Sequence, residues 1–254
     1  MKAYFFPNRP CGHKMDAILN VSGTEIVHDP RRADYYVWWK VTHHTEDLPD
    51  FAKDKFCVNA GCVNTLKDFV EQRYRKFFKR NTFVDPYYYK GDLVRKSNLN
   101  GTHDGEIVTG PLEPEPGFVY QRYYDTFDGK HYIDVRIPII FGKIPFVILK
   151  YKRTPFGSGA VSGLHHVALV STKIFPGEWI EKILRFCDGY LDYGEIDVMH
   201  GDIIDVNNTP SAAMFGYMTQ QQKDYFIETV TKFYIRGLNE KIRRYKSDHQ
   251  GKRV

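Results

Sequence analysis

The residues of this chain best suited to chemistry stand in one short stretch, Gly194-Glu195-Ile196-Asp197-Val198-Met199-His200-Gly201-Asp202-Ile203-Ile204-Asp205-Val206-Asn207-Asn208-Thr209-Pro210. Residues two apart on a strand project to the same side, so Asp205 and Asn207 face one way from one strand. A tight His200-Gly201-Asp202 turn lets Asp197, on the partner strand, point to the same face. Three oxygen donors on a rigid hairpin, with coordination positions left open, suit Mg²⁺ held between protein and phosphates. Acids flanked by Ile and Val are also unusual in strands, because burying an unpaired carboxylate is expensive. The other reading is an edge hairpin whose acids face solvent.

The elements that position this hairpin follow from periodicity. Residues 1 to about 60 alternate strand-like runs, Ala3 to Phe6, Tyr35 to Trp39 and Phe56 to Val58, with a helix from Met15 to Val21, which implies a small parallel sheet. The apolar spacing of Leu66, Phe69, Val70, Tyr74, Phe77 and Phe78 is helical. Strands are expected at Asp92 to Lys96, Glu106 to Thr109 and Phe118 to Gln121, with a polar loop over 97–105. Tyr132 to Phe141 and Ile144 to Tyr151 read as an antiparallel pair joined at Gly142-Lys143. Residues 153–163 are rich in Gly and Ser and read as a mobile lid; helices are expected at Pro176 to Tyr190 and Gln220 to Tyr245.

Composition excludes several classes. The chain has 254 residues, 42% hydrophobic and 26% charged, enough for one large domain or a few lobes sharing a core. Its net charge of +5 suits an anionic ligand such as a nucleotide, but the basic residues form no stripe for nucleic acid. No stretch approaches the roughly 18 apolar residues that span a bilayer, and Met1 to Lys14 lacks the apolar core of a secretory signal. The cytoplasm is therefore expected, with Cys11, Cys57, Cys62 and Cys187 as reduced thiols, mostly buried. Ser158 in Gly157-Ser158-Gly159 lacks the setting of a nucleophile elbow. His43-His44 and the Cys11/His13 pair are at most hints of a metal, and His165-His166 are either second-substrate or phosphate ligands or a core-facing and a solvent-facing pair.

The pattern Ile-Asp-Val-Met, a short turn, then Asp-Val-Asn-Asn-Thr-Pro resembles the metal hairpin of ATP-grasp enzymes such as D-alanine:D-alanine ligases and the ligases that add glutamate to a ribosomal protein. The resemblance implies that Asp197, Asp205 and Asn207 hold Mg²⁺, with Asp205 where the family usually has Glu and with a shorter turn. Ile133-Asp134-Val135-Arg136, Gly142-Lys143 and Lys150-Tyr151-Lys152-Arg153 look like the central hairpin of the glutamate-adding ligases, which implies that Arg136 and one of Lys152 or Arg153 reach phosphate or acyl-phosphate oxygens. Leu93 to Lys96 is similar to the strand whose Lys, here Lys96, contacts the nucleotide α- and β-phosphates beneath the 97–105 loop. Phe118 to Tyr123 resembles the strand leading to the adenine hinge, with Gln121 touching the base, Tyr123 beside it and Asp125 or Asp128 on the ribose; Lys67 matches the first nucleotide lysine.

The family's order spans about residues 62 to 240 and implies an α/β ATP-grasp architecture with ATP and Mg²⁺. The lobes are then 1–61 (N-terminal), 62–117 (small, with the phosphate loop) and 118–254 (with the metal hairpin). The reaction implied is a ligase joining a carboxylate to an amine, from amino acids, peptides or amino sugars, through an acyl phosphate. A phosphotransferase on the same scaffold and a nucleotide-binding module without turnover are the alternatives. Glu195 stands where D-alanine:D-alanine ligases have an Arg, so synthesis of that dipeptide is not expected.

Overall fold

A run of large apolar side chains with no polar partner face can be housed only in a strand covered on both sides. Tyr35 to Trp39 is such a run, and all five residues are buried. The computed structural model describes residues 1–40, 47–155 and 163–250, and in it that run is the third strand of a four-stranded sheet. Its elements are β1 (Lys2–Pro7), α1 (Lys14–Ser22), β2 (Glu25–Ile26), β3 (Tyr35–Trp39) and β4 (Cys57–Val58), in spatial order β2-β1-β3-β4. All the pairings are parallel. Helix α1 starts where Asp16 Oδ2 accepts the backbone N–H of His13 at 2.9 Å, and it stops at Gly23, whose φ of 61° is left-handed.

Helix α2 (Lys67–Phe78) then leads to a three-stranded antiparallel sheet of β5 (Gly91–Ser97), β6 (Glu106–Gly110) and β7 (Phe118–Arg122), ordered β6-β5-β7. β7, which the division at 117/118 gives to the C-terminal lobe, pairs with β5, Val94 opposite Gln121. The largest sheet has β8 (Tyr132–Ile140), β9 (Val147–Lys152), β10 (Leu164–Val170), then, after α3 (Gly177–Cys187), β11 (Tyr193–Met199) and β12 (Asp202–Asn207); helix α4 (Gln220–Gln250) ends the described chain. The strand order is β10-β9-β8-β11-β12, antiparallel throughout.

Helix α3 and the two hairpins lie where periodicity puts them, with ends shifted by a few residues. β10 is an addition to the elements expected. Its alternation is broken by a register shift between Leu164 and His166 that leaves His165 as an extra residue, so the period-two signal of a strand is lost at its start. The expected lid lies for the most part in 156–162, outside the described residues, as do Ser158 and His43-His44.

The large sheet is covered on both faces. Ile137, Ile139, Val147, Ile196 and Val206 pack against Val70 and Tyr74 of α2 and Ile183 and Phe186 of α3. Ile148, Phe146 and Tyr193 pack with β3 and with Phe226, Val230, Tyr234 and Leu238 of α4, which recur every four residues along one stripe. The sheet is pinned at its β11–β12 end by a close approach: a Cβ on Gly194 would lie 2.5 Å from the carbonyl oxygen of Asn207. No helix among the described residues is long and apolar enough to cross a membrane.

Candidate active site on the large sheet

The hairpin that carries the acids is built by two local irregularities. Met199 pairs with Asp202, so the turn is only His200-Gly201, and both have positive φ, 47° and 82°, as a tight two-residue turn requires. Strict pairing from that turn would set Asp197 opposite Ile204 and send Asp205 to the other face. A register shift after Asp197 makes Ile204 the extra residue, so Asp205 lies opposite Asp197 and Asn207 opposite Glu195. Cross-strand partners share a face, so all four side chains project together. The turn end is held by Asp202, which accepts from Tyr74 and Tyr124 hydroxyls and pairs with Arg80 at 2.6 Å.

The same face continues across the sheet through Arg136 opposite Asp197 and Lys150 opposite Asp134. The outcome is a half-buried to buried row of alternating charge. Lys14 Nζ, reaching over from α1, donates to Glu195; Arg136 Nη1 reaches the other Glu195 oxygen at 3.3 Å. Arg136 also grips Asp197 with two parallel bonds of 2.7 Å, from Nε and Nη2. Lys150 Nζ bridges Asp197 at 3.4 Å and Asp134 at 3.6 Å, and Lys152 Nζ lies 3.1 Å from Asp134. Asn207 Nδ2 donates to Asp197 at 3.2 Å. Each buried acid thus has a cation, which is what keeps such a row tolerable away from water.

The electrostatics follow from this packing. Burial alone would raise the carboxyl of Asp197, but Arg136 and Lys150 outweigh it and hold it well below the usual 3.8. Burial likewise weakens the proton hold of Arg136, and the facing Asp197 and Glu195 more than restore it. Lys14 is lowered to about 8 by burial, against the opposing pull of Glu195. Because the folded pKa of Asp197 is depressed, its pair contributes stability that is complete above about pH 4 and is lost as pH falls through the folded value. Urea midpoints from about pH 5 to about pH 2 should fall steeply for the native chain and less so for Asp197→Asn; equal acid limbs would disprove this origin.

The small sheet meets the row at β12. Lys96 Nζ donates to Gln121 Oε1 at 2.7 Å and to the carbonyl of Ile204, the bulged residue, at 3.2 Å. The Gln121 amide donates in turn to Thr82 Oγ1 at 2.6 Å, and Thr82 donates its N–H and hydroxyl to Glu71. Burial lowers Lys96 to about 8, while Asp205 pulls the other way. The 97–105 loop rests on the same strand, Asn100 Nδ2 donating to Val206 O at 2.8 Å, and Lys67 Nζ donates to Leu99 O inside the loop.

The candidate residues therefore separate into groups. Asp197, Asp205, Asn207, Arg136 and Lys152 share one face, and Lys96, Gln121 and Lys67 sit where the small sheet abuts it. Arg153 is turned away, its Nη2 3.3 Å from His165 Nδ1 on the opposite face. Tyr123 is half-buried at the end of β7, whereas Asp125 and Asp128 are exposed and accept from backbone N–H groups of their own turn, Phe127 at 3.0 Å and Lys130 and His131 at 2.8 and 2.7 Å. Lys14, Asp134 and Lys150 were not singled out from sequence. Asp134 and Lys150 lie two residues from Arg136 and Lys152, so strand alternation could have found them; Lys14, 181 residues from Glu195, leaves no such trace. Among the thiols Cys11 is exposed and the other three are buried.

The chain is similar in structure to D-alanine–D-alanine ligase from Bacillus anthracis, with a TM-score of 0.55 and 12% identity over 98% of this chain and 99% of that one. It is similar to the ATP-grasp ligase PsnB complexed with a minimal precursor, Mg and ADP, with a TM-score of 0.58 and 11% identity over 91% and 98%. It also resembles the macrocyclase MdnC bound with precursor peptide MdnA from Microcystis aeruginosa, with a TM-score of 0.53 and 12% identity over 92% and 99%. No family model and no curated protein sequence matches the chain.

Proposed function

From the premise that this chain has the ATP-grasp fold, we propose that it is an ATP- and Mg²⁺-dependent ligase joining a carboxylate to an amine. The observation that carries this reading is the facing pair Asp197 and Asp205 with Asn207, set by the Ile204 bulge on a face that also bears Arg136 and Lys152. All three are hard oxygen donors, the kind Mg²⁺ takes. Among the described residues Asp205 accepts a hydrogen bond only from the neighbouring Val206 N–H, at 2.9 Å, so its carboxylate has capacity for an ion. When bound, Mg²⁺ would neutralise charge on the phosphates and act as a Lewis acid at the transferred phosphoryl group.

Lys96 on β5 and Lys67 at the start of α2 bind the phosphates. Gln121, engaged at both ends of its amide, holds Lys96 in place, and Tyr123 with Asp125 or Asp128 lines the nucleoside end. A substrate carboxylate oxygen attacks the γ-phosphorus and the bond to ADP breaks, giving an acyl phosphate. Arg136 and Lys152 orient its oxygens and stabilise the developing charge. An amine then attacks the acyl carbon, phosphate leaves, and the amine nitrogen loses its proton. Arg136 stands against Glu195, so a positive charge like the one D-alanine:D-alanine ligases carry at that position comes here from the neighbouring strand.

The MdnC complex contains a precursor peptide and the PsnB complex a minimal precursor, which favours peptides among the amino acids, peptides and amino sugars to be tested as acid or amine. The test is ADP release with paired candidates, with the product identified by mass. Sustained release that needs both co-substrates and yields free phosphate supports ligation; sustained release with one, leaving a stable phosphate ester or phosphoramidate, refutes it. Lys96→Met should weaken ATP binding about tenfold or more, as loss of a charged hydrogen bond implies. Unchanged affinity in a variant with the native melting temperature would remove Lys96 from the phosphate site.

A further inference from the structure

Three imidazoles converge on the face of the large sheet opposite the charged row. The ligating atoms of His131, His165 and His166 all lie within 4.8 Å of one another. Consecutive residues of a regular strand point to opposite faces, and His165-His166 share one because His165 is the extra residue of the β10 bulge, which sets both against Tyr151. His166 stacks flat on the Tyr151 ring, centroids 4.2 Å apart and planes 7° from parallel. His131 comes from the turn before β8, whose backbone is fixed by Asp128 Oδ1 accepting its N–H at 2.7 Å. Its ring lies 5.4 Å from that of His165 and 5.6 Å from that of His166. Lys150 and Lys152 alternate to the far side of the sheet, so this group is separate from the site described above.

We propose that His131, His165 and His166 bind a late first-row transition-metal ion, Zn²⁺ being the type case, with remaining positions filled by solvent. Nitrogen donors in this number suit Zn²⁺, Ni²⁺ or Cu²⁺ and not Mg²⁺, which takes oxygen. Bond lengths of about 2.0–2.1 Å to each nitrogen bring the three rings nearer than they now stand, a shift that half-buried and exposed side chains make by χ rotation. The ion ties the entry of β8 to the entry of β10. Arg153 is its competitor, because the guanidinium occupies the Nδ1 lone pair of His165 at 3.3 Å, and a neutral imidazole has one lone pair to give.

The test uses the untagged full chain, with Cys11→Ser and with His43 and His44 replaced by Ala so that neither the exposed Cys11 thiol nor the adjacent His43-His44 of the sequence competes. Zn²⁺ and Co²⁺ are titrated by calorimetry and by visible absorption, without nucleotide. One ion per chain is expected, with affinity at least about tenfold weaker in each of His131→Ala, His165→Ala and His166→Ala, a raised melting temperature with Zn²⁺, and no displacement by excess Mg²⁺. Arg153→Ala should tighten binding. The inference is overturned if the background chain takes up no ion, if the triple His variant binds as the background does, or if His165→Ala leaves affinity unchanged, which would remove His165 from the set. ADP release is not read in this experiment, so the outcome is independent of the ligase proposal.

Discussion

Asp205→Asn is expected to lower substrate-dependent ADP release by about a thousandfold or more, the loss of several kcal/mol of metal-borne charge stabilisation, with the fold intact. The substitution keeps the size of the side chain and its Oδ1, which accepts the Val206 N–H at 2.9 Å, so the hairpin retains its local bond. What is removed is one negative charge from a donor set in which Asp197 already shares both oxygens with Arg136. The remaining donors then hold Mg²⁺ weakly, and more of the ion should be needed to reach whatever rate is left. ADP release measured against Mg²⁺ concentration, beside thermal unfolding, checks both points. Native turnover in the variant would exclude Asp205 as a ligand; a large drop in melting temperature would make it structural.

The second large effect lies in stability. Lys14→Met should cost about 3–5 kcal/mol, the usual penalty for stripping a buried charge of one partner. Lys14 and Glu195 are each only 1% exposed, and after the substitution Arg136, at 3.3 Å, is the cation that Glu195 retains among the described residues. A hydrophobic side chain itself is well housed there, since the Lys14 amine already lies 5.3 Å from the centre of the Phe226 ring. The loss therefore resides in a buried carboxylate left with a single, longer-range cation, and Lys14→Met with Glu195→Gln should recover most of it. Urea unfolding of Lys14→Met, Glu195→Gln and the double variant closes the cycle and gives the coupling between the N-terminal sheet's helix and the large sheet. Equal midpoints for the native chain and Lys14→Met would show that the pair contributes nothing net.

The order of elements was legible because each rests on a local signal. The four-residue stripe of α4, the apolar run of β3 and the Gly142 turn of the β8–β9 hairpin are properties of neighbouring residues. So was the identity of the acids at 197 and 205 and the amide at 207, since oxygen donors interrupting Ile and Val in strands are visible without any fold. β10 was not legible: its two histidines occupy one bulge, and a bulge leaves no periodic mark.

Sequence alone determined which residues carry oxygen and charge, and in what order along the chain. Their convergence was decided by tertiary structure. From a two-residue turn at His200-Gly201, strict antiparallel pairing would have parted Asp197 and Asp205 to opposite faces, and the extra residue Ile204 alone reunites them. That bulge is held from outside, by Lys96 on the Ile204 carbonyl and by Asp202 in the grip of Tyr74, Tyr124 and Arg80. Lys14 pairs with a carboxylate 181 residues away for the same physical reason: a buried charge takes its partner from whatever element packing brings near, and packing is not written locally.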